Sequence, residues 1–84
     1  MYHVYILTCS DNTLYCGITT DVDRRIAEHN TSNLGAKYTK ARRPVQLLYS
    51  KKYKNKSLAL KEEYRIKQLS REEKLIFIHK KRTP

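Results

Sequence analysis

Two short apolar runs separated by a polar cluster stand at the start of this 84-residue chain. Residues 2–7 and 14–19 consist mainly of aromatic, β-branched and aliphatic side chains, and the residues between them are polar turn formers. Runs of strand length joined in this way predict a β-hairpin. Tyr5 and Tyr15 share one face of that hairpin if the numbers of paired residues sum to an even value. A slip of one residue puts them on opposite faces.

The middle of the chain predicts a helix, a loop and a third strand. The segment Thr-Asp-Val-Asp at residues 20–23 resembles a capping box and begins a helix that runs to about Asn30. Residues 31–43 are basic and loop-like, with Gly35 inside them. Residues 45–49 form another apolar run and are interpreted as the third strand.

Two further helices are predicted in the last part of the chain. Ser57 can cap a helix that reaches about Leu69, and the segment Ser-Arg-Glu-Glu at residues 70–73 is a capping box for a shorter helix that ends near His79. The order is therefore β-β-α-β-α-α, which indicates an α+β fold. We expect residues 1–79 to form one domain and residues 80–84 to be a disordered basic tail.

The charge balance restricts the partners that such a chain attracts. Eighteen Lys and Arg against eight Asp and Glu give a net charge of +10. A positive field of this size attracts polyanions, nucleic acid above all, through phosphate contacts and counterion release. The alternative is a surface that is merely basic or that lies next to the ribosome.

The cysteines and the lengths of the apolar runs indicate the cellular compartment of the protein. Cys9 and Cys16 follow a strand-like start rather than a secretory signal, so we expect a reduced, cytoplasmic protein. The three histidines do not stand at zinc-finger spacing, which argues against a structural zinc site. No apolar run reaches the roughly 20 residues needed to cross a bilayer, so we expect no membrane partner.

The first predicted helix carries a cation and an imidazole that are neighbours on the helix surface. His29 falls between Val22 and Ile26 on the apolar stripe, and Arg25 lies at the edge of that stripe. As i,i+4 neighbours on one helix, Arg25 and His29 can bind the same phosphate group. The structural alternative is an arginine lying over the core and a histidine that hydrogen-bonds a backbone carbonyl.

A carboxylate falls on the apolar face of the next predicted helix. Ala59, Glu63 and Ile66 lie within about 60° of one another around the helix axis. A buried carboxylate needs a metal ion, an arginine or several hydroxyls, because an unpaired buried charge costs several kcal/mol. An Arg25–Glu63 ion pair is the structural alternative to a metal site, and Glu62 on the other side of the stripe stays open as a candidate.

Seven tyrosines stand against one Phe and no Trp. Tyrosine is a common half-buried residue in strands, which explains some of them. Tyr5, Tyr15 and Tyr38 differ because their neighbourhood in the sequence also carries glycine and arginine. Gly17 removes a side chain close to Tyr15 and so predicts room for a ligand beside the strand.

Five segments in order resemble the motifs of the GIY-YIG nuclease superfamily, and closely those of its small, stand-alone bacterial branch. They are VYIL at residues 4–7, YCG at 15–17, DVDRRIAEHN at 21–30, GAKYT at 35–39 and ALKEE at 59–63. Each short motif alone would be a weak signal, but five in the right order over nearly the whole chain are specific. The resemblance implies a small three-stranded antiparallel sheet flanked by helices.

The resemblance also implies a set of roles. In that family a glutamate binds one divalent metal ion, which places Mg²⁺ or Mn²⁺ on Glu63. An arginine contacts the scissile phosphate, which implies Arg25, and tyrosine hydroxyls bind or deprotonate the attacking water, which implies Tyr5 and Tyr15. His29 stands where relatives carry a histidine or a tyrosine. A nearby arginine, the metal ion and the positive field would all favour a phenolate.

Two positions depart from the family pattern. Ile18 stands where some relatives have a lysine after the glycine of the second motif, and Leu75 lies in the region where many have an asparagine. These departures leave open a second function, a nucleic-acid-binding module that has little or no catalytic activity. A third possibility is an adaptor for another protein.

The sequence thus predicts a metal-dependent endonuclease that cleaves phosphodiester bonds in nucleic acid, either structure-selectively or nonspecifically. We expect DNA rather than RNA as the partner, a role in DNA repair and a monomeric protein. The side chains expected to bind the nucleic acid come from the loop and strand after the first helix: Lys37, Tyr38, Lys40, Arg42, Arg43, Lys51 and Lys52.

Overall fold

The computed structural model describes residues 1–31 and 37–82. Gly35, part of the predicted loop, and residues 83–84, the end of the predicted tail, lie outside the described residues. The elements are β1 (Tyr2–Thr8), β2 (Leu14–Thr19), α1 (Val22–Thr31), α2 (Lys37–Lys40), β3 (Gln46–Tyr53), α3 (Lys56–Lys67) and α4 (Arg71–Arg82).

The three strands form one antiparallel sheet in the order β2-β1-β3, which confirms the expected fold class. The hairpin register pairs Tyr5 with Gly17 and Leu7 with Tyr15. Both sums are even, so Tyr5 and Tyr15 lie on the same face of the sheet. This face is where the candidate site forms.

One face of the sheet packs against α3 and α4 through aliphatic side chains. Val4 and Ile6 of the central strand are fully buried there, together with Ala59 and Ile66 of α3 and with Ile78 of α4. We call this the α3 face. Its interdigitated aliphatic side chains supply most of the hydrophobic stabilisation that a small domain can gather.

The opposite face, the α1 face, buries a smaller cluster. Tyr5, Leu7, Cys9 and Val45 form it, and Ile26 of α1 packs against them. The side chain of Asn30 joins the end of α1 to the start of β3, because its amide accepts from Val45 N and donates to Val45 O. These bonds fix α1 across the sheet beside Tyr5.

The helix starts differ from the predicted caps at two of three sites. Asp21, rather than Thr20, accepts the hydrogen bond from Arg24 N at the start of α1. Asn55 accepts from Leu58 N and caps α3, so the helix begins before the predicted Ser57. Aspartate and asparagine are caps as good as serine or threonine, and closely spaced candidates compete.

The third predicted cap is confirmed. Ser70 Oγ accepts from Glu73 N at 3.1 Å, and Glu73 Oε1 accepts from Ser70 N at 2.9 Å. These two reciprocal bonds make the capping box that begins α4.

Three further differences concern the length and number of elements. A one-turn helix, α2, occupies part of the predicted loop, and β3 continues to Tyr53 because Lys51 and Lys52 still pair with β1. Polar residues on an edge strand carry little hydrophobic signal, so the strand end was not predictable. Helix α4 runs to Arg82 instead of ending near His79. Among the described residues, no helix has the length and apolar character needed to cross a membrane.

Candidate functional site

A buried hydroxyl–imidazole–hydroxyl row forms the centre of the α1 face. Nε2 of His29 lies 2.9 Å from the Tyr5 hydroxyl, and Nδ1 lies 2.8 Å from Oγ1 of Thr39. All three side chains are fully buried. The imidazole therefore bonds two hydroxyls, rather than the backbone carbonyl considered as the structural alternative, and both ring nitrogens are paired whichever tautomer is present.

Burial determines the protonation states of His29 and Tyr5 in this row. Burial and the positive charge of Arg25 lower the pKa of His29 to about 4, so the imidazole is neutral near pH 7. Burial raises the pKa of the Tyr5 phenol to about 12, although a hydrogen bond from Arg25 opposes this shift. The expected phenolate is thus disfavoured at Tyr5, because desolvation outweighs the neighbouring arginine.

Tyr15 lies beside this row and is half-buried. Its ring centroid is 5.2 Å from that of His29, in an edge-on arrangement, and 6.4 Å from that of Tyr5. On its other side Tyr15 stacks against Tyr38, with centroids 6.0 Å apart and planes 28° apart. The ring of Tyr15 is held by its neighbours while part of its surface still reaches solvent.

Arg25 reaches the same face from α1. Its guanidinium forms an ion pair with Glu28 at 2.9 Å and hydrogen-bonds Tyr5. Partial burial alone would lower the pKa of Arg25, but these two contacts raise it, so the guanidinium stays charged. The site thus holds a fixed cation beside two phenols and a neutral imidazole.

Gly17 makes room for Tyr5, its partner across the hairpin, and not for a ligand as the sequence suggested. A Cβ atom on Gly17 would lie 2.6 Å from the Tyr5 hydroxyl oxygen and 2.8 Å from the adjacent ring carbon. No real Cβ contact is that short, so the glycine is required by the tyrosine ring that lies over it.

Glu63 lies on the other side of β2 from Tyr15. It belongs to α3, and its charge helps raise the pKa of the buried Cys16 thiol to about 11, after the larger effect of burial. Cys16 is the neighbour of Tyr15 in β2 and points to the α3 face. The structure therefore brings Tyr5, Tyr15, Arg25 and His29 together, whereas Glu63 flanks the same edge strand from the opposite face.

The Arg25–Glu63 ion pair, the structural alternative raised from the sequence, is replaced by pairs within each helix. Glu63 faces Lys67 at 3.4 Å, and its side chain is 16% exposed. Glu62 accepts hydrogen bonds from the Tyr53 hydroxyl and from Arg65. Glu62 is therefore held by two side chains, Tyr53 and Arg65, whereas the ion pair of Glu63 is with Lys67, so Glu63 is the less constrained ligand candidate on α3.

Glu63 suits a magnesium or manganese ion as a single protein ligand. In the part of the chain that the structure describes, no group of three or more His, Cys, Asp and Glu side chains gathers into a metal cage. Mg²⁺ commonly uses one or two carboxylates and completes its shell with water and substrate phosphates. Lys67 is 51% exposed and free to swing away, so the carboxylate can exchange partners.

The predicted nucleic-acid contacts fall into two groups. Arg42 forms an ion pair with Asp11 at 3.0 Å, and its guanidinium lies 4.0 Å above the ring of Tyr38. Arg43 donates to the carbonyl oxygens of Glu28 and His29 at the end of α1. Both arginines are thus engaged within the fold. The other four charged residues are exposed lysines, two on α2 and two on β3, the edge strand on the far side of β1 from β2: Lys37, Lys40, Lys51 and Lys52.

Thr39 and Glu28 were missed from the sequence although both touch the site. Thr39 lies in the GAKYT segment, but nothing local marks its hydroxyl as the partner of His29. Glu28 stands three residues after Arg25, a spacing typical of a helical ion pair, and that spacing was a usable signal.

Comparison with known proteins agrees with this architecture. Residues 1–76 match the GIY-YIG catalytic domain. The chain is 57% identical over 74 residues to a UPF0213 protein of Halobacterium salinarum, covering 88% of this chain and 95% of that protein. It is 51% identical over 80 residues to a UPF0213 protein of Staphylococcus haemolyticus, covering 95% of this chain and 96% of that one.

Two solved structures share the fold. The solution NMR structure of a UPF0213 protein from Bacillus halodurans has a TM-score of 0.64 and 45% identity, and the match covers 100% of this chain and 89% of that one. The solution NMR structure of a protein from E. faecalis has a TM-score of 0.66 and 38% identity, with 94% and 83% covered. The motifs, the sheet topology and these matches agree, and the chain belongs to the GIY-YIG family.

Proposed function

We propose that this protein is a metal-dependent endonuclease that cleaves phosphodiester bonds in nucleic acid at the exposed edge of β2. The observation that carries the proposal is the arrangement around that strand. Tyr5, Tyr15, Arg25 and His29 meet on one face, and Glu63 stands across the strand on the other. A phosphate at the rim of β2 lies between the two groups.

The side chains of the α1 face have distinct tasks in this proposal. Arg25 remains charged and binds the phosphate, for which a guanidinium is well suited. Tyr15 is half-buried and orients the attacking water, whereas Tyr5, buried with a pKa near 12, remains a phenol and donates or accepts hydrogen bonds. Neutral His29 fixes Tyr5 and accepts a proton poorly at neutral pH.

The metal ion would bind at Glu63. When bound, it supplies positive charge that stabilises the charge developing on the phosphate and the leaving oxygen. Glu63 contributes a carboxylate whose ion pair, within the described part of the chain, is with the exposed Lys67.

A binding module with little catalysis is the second candidate function. Two observations favour it: the raised pKa of Tyr5, and Ile18, which packs against the core of the α3 face where some relatives have a lysine. The net charge of +10 supports nucleic-acid binding in either case. We propose DNA rather than RNA as the partner and a role in DNA repair, with a monomeric protein in the cytoplasm, where its two free, buried cysteines would stay reduced.

A cleavage panel tests the proposal. The substrates are duplex, nicked, branched and single-stranded DNA, with RNA counterparts, each with Mg²⁺, Mn²⁺ or EDTA. Cleavage of at least one substrate with metal and none with EDTA is expected. Salt-dependent binding without cleavage of any substrate would instead support the binding module. In either case, each phosphate neutralised by a lysine should add about 0.9 to the log–log salt slope on duplex DNA.

Glu63→Gln and Glu62→Gln form a matched pair for the metal ligand. Glu63→Gln should abolish metal-dependent cleavage while leaving binding intact or slightly tighter, because a negative charge near the phosphate is lost. Its folding should be nearly unchanged, since an exposed lysine partner contributes little, about 0–1 kcal/mol. Glu62→Gln should keep cleavage. Unchanged cleavage with a large fall in melting temperature for Glu63→Gln would reject the metal role.

A further inference from the structure

The outward side of α3 carries an exposed aromatic ring among lysines. Tyr64 is 69% exposed, and a shallow groove on this helix brings it together with Leu60, Lys56, Lys61 and Lys67. Among the described residues, no hydrogen bond or ring contact holds the Tyr64 side chain. Tyr64 and Leu60 are both exposed and lie together in this groove, so they form a small apolar surface that can bind a partner.

The chemistry of the groove fits one strand of nucleic acid. A tyrosine ring offers a face on which any base can stack, and lysines within a few ångströms along a helix can contact the phosphates on either side. The lining of the groove is mainly apolar, with Leu60 and Tyr64 among its residues, and it also carries three lysines. An apolar surface that includes several lysines suits a nucleobase and its flanking phosphates.

The groove adjoins the proposed catalytic edge. Glu63 lines the groove and is also the proposed metal ligand beside β2. A strand whose phosphate lies at β2 therefore reaches Tyr64 with its neighbouring nucleotides. Bases in a continuous duplex are stacked on one another and do not offer a free face, so only an unpaired nucleotide can use the ring.

We propose that Tyr64 is a stacking platform for an unpaired nucleotide next to the cleaved bond, with Lys56, Lys61 and Lys67 contacting the flanking phosphates. The inference rests on the proposed function and deepens it. It assigns a substrate class, namely nucleic acid with a single-stranded segment beside the scissile phosphate.

Fluorescence binding assays with three variants test this inference separately from catalysis. The probes are a labelled single-stranded DNA, a blunt duplex annealed from two strands and the same duplex with a single-stranded flap, all without divalent metal. Tyr64→Ala should weaken binding to the single strand and the flap by about 5- to 100-fold. Binding to the blunt duplex should change by less than about twofold, because its paired and stacked bases cannot reach the ring.

Two control variants sharpen the comparison. Tyr64→Phe keeps the ring and should bind like the wild type, and Ile76→Ala removes an exposed apolar side chain on α4, outside the groove, and should also bind like the wild type. A 2-aminopurine base in the flap should be quenched by the wild type and by Tyr64→Phe but not by Tyr64→Ala.

The outcomes separate the two proposals. If the wild type binds and cleaves nucleic acid but Tyr64→Ala loses affinity equally for all three probes, or for none, the stacking platform is rejected while the nuclease remains. If the wild type binds no probe, both proposals fail. If Tyr64→Ala instead converts a dimer to a monomer in sedimentation, the groove is an interface between two copies and the stacking role is wrong.

Discussion

The two faces of the central strand are buried to the same extent but by different chemistry. On the α3 face, Val4 and Ile6 pack against aliphatic side chains of α3 and α4. On the α1 face, Tyr5 is equally buried, yet its hydroxyl bonds His29, whose ring in turn bonds Thr39. A small domain gains little from burying polar groups, even satisfied ones, so the α1 face indicates a purpose other than stability.

The comparison predicts that the largest stability loss comes from the α3 face. Ile66→Ala removes a fully buried side chain between α3 and the sheet and should lower the free energy of unfolding by about 2–5 kcal/mol. Urea denaturation measures this loss. Leu58→Ala, on the exposed side of the same helix, should change it by less than about 0.5 kcal/mol. Equal losses for the two variants would show that α3 does not form the main core.

Lowering the pH should destabilise the protein, because His29 on the α1 face becomes protonated. Because burial and Arg25 lower its pKa to about 4 from 6.5, the unfolded chain binds a proton before the folded one does. The stability that the protein gains from a neutral His29 is fully present above pH 6.5. The free energy of unfolding falls by about 2–3 kcal/mol as the pH is lowered to about 4. Denaturation midpoints measured across this window test the loss.

His29→Gln is the control for this titration, because it keeps hydrogen-bonding groups and cannot be protonated near neutral pH. The variant should lose less stability than the wild type between pH 6.5 and 4. All other residues are the same in both proteins, so the comparison isolates the contribution of His29. Identical pH profiles would mean that His29 is not held neutral by burial.

Gly17→Ala tests how closely Tyr5 covers the hairpin. The new Cβ would meet the Tyr5 ring, so the substitution should destabilise the protein by about 1–3 kcal/mol. In a Tyr5→Phe background the penalty should shrink, because the hydroxyl oxygen that lies 2.6 Å from the Cβ position is absent. The four proteins of this cycle can be compared by thermal denaturation, and purely additive effects would contradict the close contact.

The difference between the faces also shows what the sequence could predict. The apolar runs correctly indicated the strands, and the 3.6-residue periodicity of α3 placed Glu63 next to the buried side of its helix, where its side chain is 16% exposed. Periodicity within one helix does not say which face of the sheet that helix covers. The sequence therefore could not show that Arg25 and Glu63 lie on opposite sides of the sheet.

Strand register and long-range contacts were two further features that could not be predicted from the sequence. The order of residues in the hairpin allowed Tyr5 and Tyr15 to share a face or not, and only the observed pairing of Tyr5 with Gly17 decided it. The hydrogen bond between His29 and Thr39 joins α1 to α2 over ten positions of the sequence, which no local pattern specifies. The predicted catalytic set remains a prediction, now with a geometry on which it can be tested.

Tyr15→Phe tests the central claim, that the α1 face serves chemistry, most directly. The ring keeps its contacts with His29 and Tyr38, so the free energy of unfolding should change by less than about 0.5 kcal/mol. Cleavage should fall by about 100-fold or more if the hydroxyl orients or activates the attacking water. Tyr49→Phe, on the α3 face, should cleave like the wild type. Wild-type cleavage by Tyr15→Phe, or a loss fully explained by unfolding, would contradict the assignment of the α1 face to catalysis.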